Sequence, residues 1–293
     1  MRRLKLGVIG AMLASLFSGP TPAPAQTSET GQIGLAYGTD PLQTLDLYRP
    51  DSISPAPVIL FVHGGGWSGG SKAMGEHWQP AHYLAQGYAW ATMDYRLVPA
   101  ATVEDGAADV ARAFAWLRGQ AEAFGIDPDR IVLMGHSAGA HLAALVATDP
   151  HWLAAEGLSP DTIDAVISLD GAGLDVVSAM APGAGASGYH LPAFGSDVAR
   201  QARLSPISYA DSPNAPRWLF LHDGDNDPSR GRFAQRLAGA LTVGGAEARV
   251  VAIHGTTHMR MINELGSDGD ATAAVVDEFL DSLPVMGDSM AGR

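Results

Sequence analysis

Two stretches of this sequence bring together residue types whose spacing can do chemistry. Gly135-His136-Ser137-Ala138-Gly139 is a G-x-S-x-G pentapeptide. It follows a short apolar run, Ile131–Met134, and precedes a helical pattern over Ala138–Val146. A sharp strand-to-helix turn strains the serine backbone, and a side chain in place of either glycine would strike neighbouring chain. The same turn lifts the Ser137 hydroxyl clear of a sheet and places it at a helix N-terminus. There the N–H of Ala138 is unpaired and free to hold an oxyanion. The plainer role for Ser137 is a helix cap inside a glycine turn; strand and helix on either side favour a nucleophile. The second stretch is His63-Gly64-Gly65-Gly66-Trp67, just past the apolar run Val58–Val62. Three successive glycines let backbone N–H groups point into one concavity, with Gly65 and Gly66 the expected donors. No G-K-[ST] follows, so this is not a phosphate-binding P-loop.

These two loops need a scaffold, and the rest of the chain supplies one. Gln32–Tyr37, Thr44–Tyr48, Val58–Val62, Tyr88–Met93, Ile131–Met134, Val166–Leu169, Trp218–Leu221 and Arg249–Ile253 read as strands. Between them, Val103–Phe124, Ala138–Val146, Phe233–Leu241 and Ala273–Leu283 carry helical spacing. Strands interleaved with helices predict an α/β fold with a largely parallel eight-stranded sheet covered on both faces. Residues 26–293 are expected to form a single domain, in which 171–200 is irregular, a small cap or a long loop.

In this order the motifs resemble the α/β-hydrolase family, most closely its esterase branch with an H-G-G-G oxyanion loop and a G-x-S-A-G elbow, related to hormone-sensitive lipases. Asp94-Tyr95-Arg96-Leu97 with Pro99, and Gly125-Ile126-Asp127-Pro128-Asp129-Arg130-Ile131, are similar to further segments of that family. The resemblance runs from about residue 44 to 283 and implies the chain order Ser, then Asp or Glu, then His. His258, in Gly255-Thr256-Thr257-His258 after the last strand, stands where the family's histidine does; His254 ends the strand itself. For the acid, Gly224 to Asp227 reproduces the G-x-x-D-P form of many members, which makes Asp227 the expected residue. An Asp before Pro is also a standard helix N-cap. If Asp227 only caps, Asp225 is the acid, with Asp223 next. Asp170 and Asp175 resemble structural polar residues. His63 and His136 flank the active loops as supports. His77 and His82 are five apart, on different helix faces, and imply no metal pair.

The resemblance thus implies a serine esterase in which Ser137 attacks, His258 is the general base and Gly65, Gly66 and Ala138 hold the oxyanion, with no metal or organic cofactor. Amide-cleaving relatives resembling arylformamidases would use the same groups. A non-catalytic binding protein of this fold typically lacks the serine or the histidine. Residues 171–200 hold few bulky apolar groups, which argues against an interfacial lipase lid and for soluble substrates of modest size.

Composition narrows the surroundings. Across 293 residues, Asp and Glu number 31 against 18 Lys and Arg, a net charge of −13 that repels nucleic-acid phosphates and anionic lipid. Cysteine is absent from the sequence, which excludes disulfides, thiolate metal sites and a cysteine nucleophile. Arg2, Arg3 and Lys5 precede an apolar run, Leu6–Phe17, too short to span a bilayer comfortably, and Ala23-Pro24-Ala25 has the form of a cleavage site. Residues 1–25 therefore read as a secretory signal peptide, which places the mature chain outside the cell or in a periplasm without stable membrane insertion.

Overall fold

Side chains along the central strands are buried on both sides, and this sets the architecture. The computed structural model describes residues 30–52, 54–184 and 188–284; the leader expected at 1–25 lies outside them. Eight strands form one sheet: β1 (Thr30–Ala36), β2 (Thr44–Arg49), β3 (Ala56–Val62), β4 (Ala89–Met93), β5 (Ile126–His136), β6 (Ala165–Leu169), β7 (Arg217–Asp223) and β8 (Glu247–Ile253). Their order is β1-β2-β4-β3-β5-β6-β7-β8. β2 runs antiparallel to both β1 and β4, and every other pair is parallel.

Helices α1 (Gln79–Ala85), α2 (Val103–Gly119), α3 (Ala138–Thr148), α4 (Pro228–Val243) and α5 (Ala271–Asp281) cover the two faces. Val58, Leu60 and Val62 of β3 pack into one core with Phe114, Leu142 and Leu237. Ile59 and Phe61 point the other way, into a core with Tyr83, Val276 and Phe279. Alternate residues of one strand thus feed opposite layers, which is why the strand reads as an unbroken apolar run. The sequence predicts one helix over Val103–Phe124, but α2 ends at Gly119 and a separate turn follows over Ala121–Phe124. Gln120 leaves helical geometry between them, and Gly125 closes the turn with φ 59°.

All eleven residues of α3 are buried. A helix apolar all round belongs in the middle of a protein, so the turn before it is held on both sides. β3 and β5 are neighbours, and the chain leaving β3 goes to β4 on one side while the chain leaving β5 goes to β6 on the other. The crevice outside the carboxyl ends of β3 and β5 is where open α/β sheets bind ligands, and both candidate loops start there. The irregular stretch forms short helices over Val176–Ala179, His190–Phe194 and Val198–Arg203. Among the described residues no helix is long and apolar enough to cross a membrane.

Candidate active site

Ser137 joins β5 to α3 with φ 56° and ψ −115°, a conformation that costs a non-glycine residue free energy and survives only where the surroundings enforce it. The enforcement is close packing of backbone on backbone. A Cβ on Gly139 would lie 2.1 Å from the carbonyl oxygen of Val62, and one on Gly135 would lie 2.4 Å from that of Gly139. Both glycines of the pentapeptide are therefore required, as the sequence implies. The Ser137 N–H donates to the Leu169 carbonyl at 2.9 Å, and its own carbonyl accepts from His141 and Ala172. Its side chain makes no capping bond to the helix.

The glycine loop leaves β3 beside it. Gly65 and Gly66 have φ of 118° and 60°, and neither amide donates to a backbone carbonyl among the described residues. The Asp94–Pro99 segment underpins this loop. Tyr95 stacks on the His63 ring at 4.3 Å and donates its hydroxyl to the His63 carbonyl at 3.0 Å, while Val98 N–H donates to the Trp67 carbonyl at 2.9 Å. The Trp67 indole in turn donates to His141 Nδ1 at 3.1 Å. Gly65, Gly66, Ser137, Ala138 and His258 line one cavity of about 630 Å³, with Tyr189 and His190 of the irregular stretch in its wall.

His258 lies in the loop after β8. Its Nδ1 is 2.6 Å from Oδ2 of Asp170, the first residue past β6, whose side chain is wholly buried. Oδ1 of the same carboxylate accepts from the Asp223 N–H at 3.1 Å. The carbonyl of His258 accepts from His136 Nε2 at 2.9 Å. Burial and the neighbouring His258 push the His136 imidazole down to about 3, so it stays neutral and donates from Nε2 alone.

The structure does not bring the expected acids to His258. Asp227 caps α4, accepting from the Ser229 N–H at 3.0 Å and from its hydroxyl, and pairs with Arg230 at 3.2 Å. Desolvation works against its ionised form, but the Ser229 hydrogen bonds and the Arg230 charge prevail and hold its carboxyl below the usual range. Asp225 pairs with exposed His254 at 2.7 Å and accepts from the Gly255 N–H. Asp223 turns its carboxylate back on its own loop, accepting from Asp225 and Asn226. Asp175 caps the helix Val176–Ala179 and pairs with Arg236, a structural role as expected. The sequence gives Asp170 the same structural role, but the structure sets its carboxylate on His258. The available signal was its place directly after a fully buried strand, at the sheet edge the histidine must reach.

Serine and imidazole at the wall of one cavity, a buried carboxylate on Nδ1 of that imidazole, and unpaired amides beside the serine make a set suited to nucleophilic acyl transfer. Comparison with known proteins agrees in fold. A model of the BD-FAE family matches residues 45–230. Esterase LipQ of Mycobacterium tuberculosis is 32% identical over 277 residues, covering 83% of this chain and 62% of its own. A probable isoprenylcysteine alpha-carbonyl methylesterase of Oryza sativa is 31% identical over 240 residues, 76% of this chain and 56% of its own. Esterase LipC of M. tuberculosis is 39% identical over 141 residues, 46% of this chain and 35% of its own. The chain thus spans from about a third to three-fifths of the length of these curated relatives. Among solved structures, Thermogutta terrifontis esterase 2 phosphonylated by sarin superposes with a TM-score of 0.71 at 24% identity, covering 89% of this chain and 97% of that one. A truncated carbohydrate esterase from gut microbiota gives 0.68 at 20%, covering 89% and 98%. At such identities the likeness is one of fold, the α/β-hydrolase fold.

Proposed function

This chain belongs to the BD-FAE family, and from that premise we propose that it is a serine hydrolase of carboxylic esters with Ser137, His258 and Asp170 as its triad. The observation that carries the reading is the 2.6 Å pairing of His258 Nδ1 with the buried Asp170 carboxylate, which leaves Nε2 as the free nitrogen of the base. Ser137 Oγ attacks the acyl carbon as its proton passes to Nε2 of His258. The carbonyl oxygen becomes an oxyanion, held by the N–H groups of Gly65, Gly66 and Ala138. His258 then protonates the leaving alkoxide. Water attacks the Ser137 ester by the same route, giving the free acid and the original serine. Asp170 keeps its charge throughout and stabilises the imidazolium.

The cavity of about 630 Å³ suits a small ester better than a polymer chain. The apolar run and cleavage-like triplet of residues 1–25 support export of the mature enzyme, which would meet esters outside the cytoplasm. The test is turnover of p-nitrophenyl esters of graded acyl length, beside a feruloyl ester and a formanilide, by the wild type and by Ser137→Ala. Hydrolysis of short esters that vanishes in the variant is expected. Preference for the formanilide would move the activity to amides. Turnover that persists without Ser137 would overturn the mechanism.

A further inference from the structure

A buried carboxylate in a left-handed backbone conformation needs more than one histidine to hold it. Asp170 has φ 46° without being glycine, and its side chain is wholly buried. Its N–H donates to the Leu221 carbonyl at 2.8 Å. The Asp223 N–H donates to its Oδ1 at 3.1 Å, and the remaining fixings come from one residue of α4. Arg230 Nη1 donates to the Asp170 carbonyl at 2.6 Å, and Arg230 Nε stands 3.3 Å from its Oδ2. The same Nε is 3.2 Å from the carboxylate of Asp227, which caps the helix that Arg230 belongs to.

We propose that Arg230, seated by Asp227, is the positioning residue for Asp170, fixing both its strained backbone and its carboxylate so that Oδ2 meets His258. This rests on the triad proposed above. It also accounts for the G-x-x-D-P aspartate, which never touches the histidine: Asp227 acts on the site at one remove, through the cation it holds. A planar guanidinium can serve backbone and carboxylate at once because its donors are set in a fixed fork, which an ammonium lacks. Arg230 also reaches the wall of the reaction cavity that His258 lines.

The charges around His258 give the proposal a signature. Asp170 faces it from the end of β6, His136 from the end of β5, and Arg230 with Asp227 from the start of α4; Asp223 lies behind Asp170. With Arg230 in place, one cation offsets the two nearest carboxylates. Without it, imidazolium forms more readily in the resting enzyme and the base is lost at higher pH.

The experiment compares wild type with Arg230→Met, Arg230→Lys and Asp227→Asn. It measures kcat and KM for a p-nitrophenyl ester across pH, and separately follows the His258 imidazole titration by NMR. For Arg230→Met, kcat is expected to fall roughly 10- to 100-fold with little change in KM, the scale of a small misplacement of catalytic groups. The acid limb and the imidazole titration should both move to higher pH. Arg230→Lys should restore the titration but only part of kcat, and Asp227→Asn should lower kcat by less than Arg230→Met without moving the titration to higher pH, because it removes a carboxylate and keeps the cation. Unchanged kcat and titration in Arg230→Met would overturn the proposal, as would a rise in KM alone, which would make Arg230 a substrate contact. If Arg230→Met does not fold, kcat decides: wild-type kcat in both Arg230→Lys and Asp227→Asn would overturn the proposal. The titration needs no turnover, so it judges Arg230 even if no ester is hydrolysed, an outcome that would defeat the esterase reading instead. Loss of the Arg230 effect while Ser137→Ala and Asp170→Asn stay inactive would leave that reading intact.

Discussion

Asp170 and His258 are 88 positions apart and meet at 2.6 Å, one from the end of β6 and one from the loop after β8. The strand between them, β7, ends at Asp223, and the carboxylates of Asp223 and of Asp225 and Asp227 in the following loop all turn elsewhere. If this pairing orients the base, Asp170→Asn should lower kcat on the scale of ~10⁴-fold, as the equivalent change does in a serine protease. Asp227→Asn keeps a capping oxygen and should stay within roughly 100-fold of wild type. Asp225→Asn, which disturbs only exposed contacts with His254 and the Gly255 N–H, should be close to wild type. Steady-state kinetics on one ester decide it. An active Asp170→Asn beside an inactive Asp227→Asn would return the acid to the β7 loop.

That contrast shows which parts of the site sequence can carry. The elbow, the glycine loop and the eight strands depend on local requirements: glycine where a Cβ would strike backbone, apolar runs where both strand faces are buried. Each leaves a mark within a few residues. The choice of acid depends on which strand end faces the histidine across the sheet, and nothing adjacent to Asp170 or Asp227 records that. Asp227 in fact carries the stronger local signal, because Asp-Pro is a helix start, and capping is what it does in the fold. Arg230 was invisible for the same reason: an arginine in the first turn of a helix has no distinctive neighbours until Asp170 is placed beside it.

Ser137 stores strain at φ 56°. Both Ser137→Ala and Ser137→Gly should abolish turnover and covalent labelling by an organophosphonate, but their stabilities should differ. Alanine keeps the strained backbone, whereas glycine relieves a cost of about 1–3 kcal/mol, less the greater entropy that glycine loses on folding. Ser137→Gly should therefore unfold at higher denaturant than Ser137→Ala. Equal midpoints would mean that the turn is not strained in solution.

Gly139 and Gly119 test the packing argument as a pair. A Cβ on Gly139 would meet the carbonyl oxygens of Val62 and His63 at 2.1 and 2.4 Å, so β3 itself would have to move. Gly139→Ala should cost about 3 kcal/mol or more, the upper end for overpacking, and disturb the oxyanion loop that continues β3. At Gly119, the last residue of α2, a Cβ meets nothing within 4 Å. Gly119→Ala should be neutral or stabilising by up to about 1 kcal/mol. Urea unfolding of both variants measures the difference; equal effects would contradict the contact geometry.

Burial holds down the imidazoles of His63, His136 and His141, and this shapes how the fold responds to acid. His136 is held down to about 3 by burial and the nearby His258, and His141 to about 4 by burial. His141 accepts from Trp67 on Nδ1 and donates from Nε2 to the Leu204 carbonyl, so a proton on Nδ1 would break the contact that anchors the oxyanion loop. Nδ1 of His136 is buried without a hydrogen-bond partner, and a proton there would find no acceptor. In the unfolded chain both titrate near ~6.5. Between that value and about 4, the unfolded state binds protons that the native state refuses, so stability falls as pH falls. Each site contributes a slope of about 1.4 kcal/mol per pH unit over most of that window. Below about 4 His141 ceases to contribute, while His136 continues to about 3. His136→Gln keeps a donor for the His258 carbonyl but cannot titrate. Subtracting its unfolding free energy from that of wild type at each pH isolates one imidazole, and the difference should show wild type losing about 1.4 kcal/mol more per unit between pH ~6 and ~4. A flat difference would mean that His136 takes up its proton in the native state and that its Nδ1 finds an acceptor there.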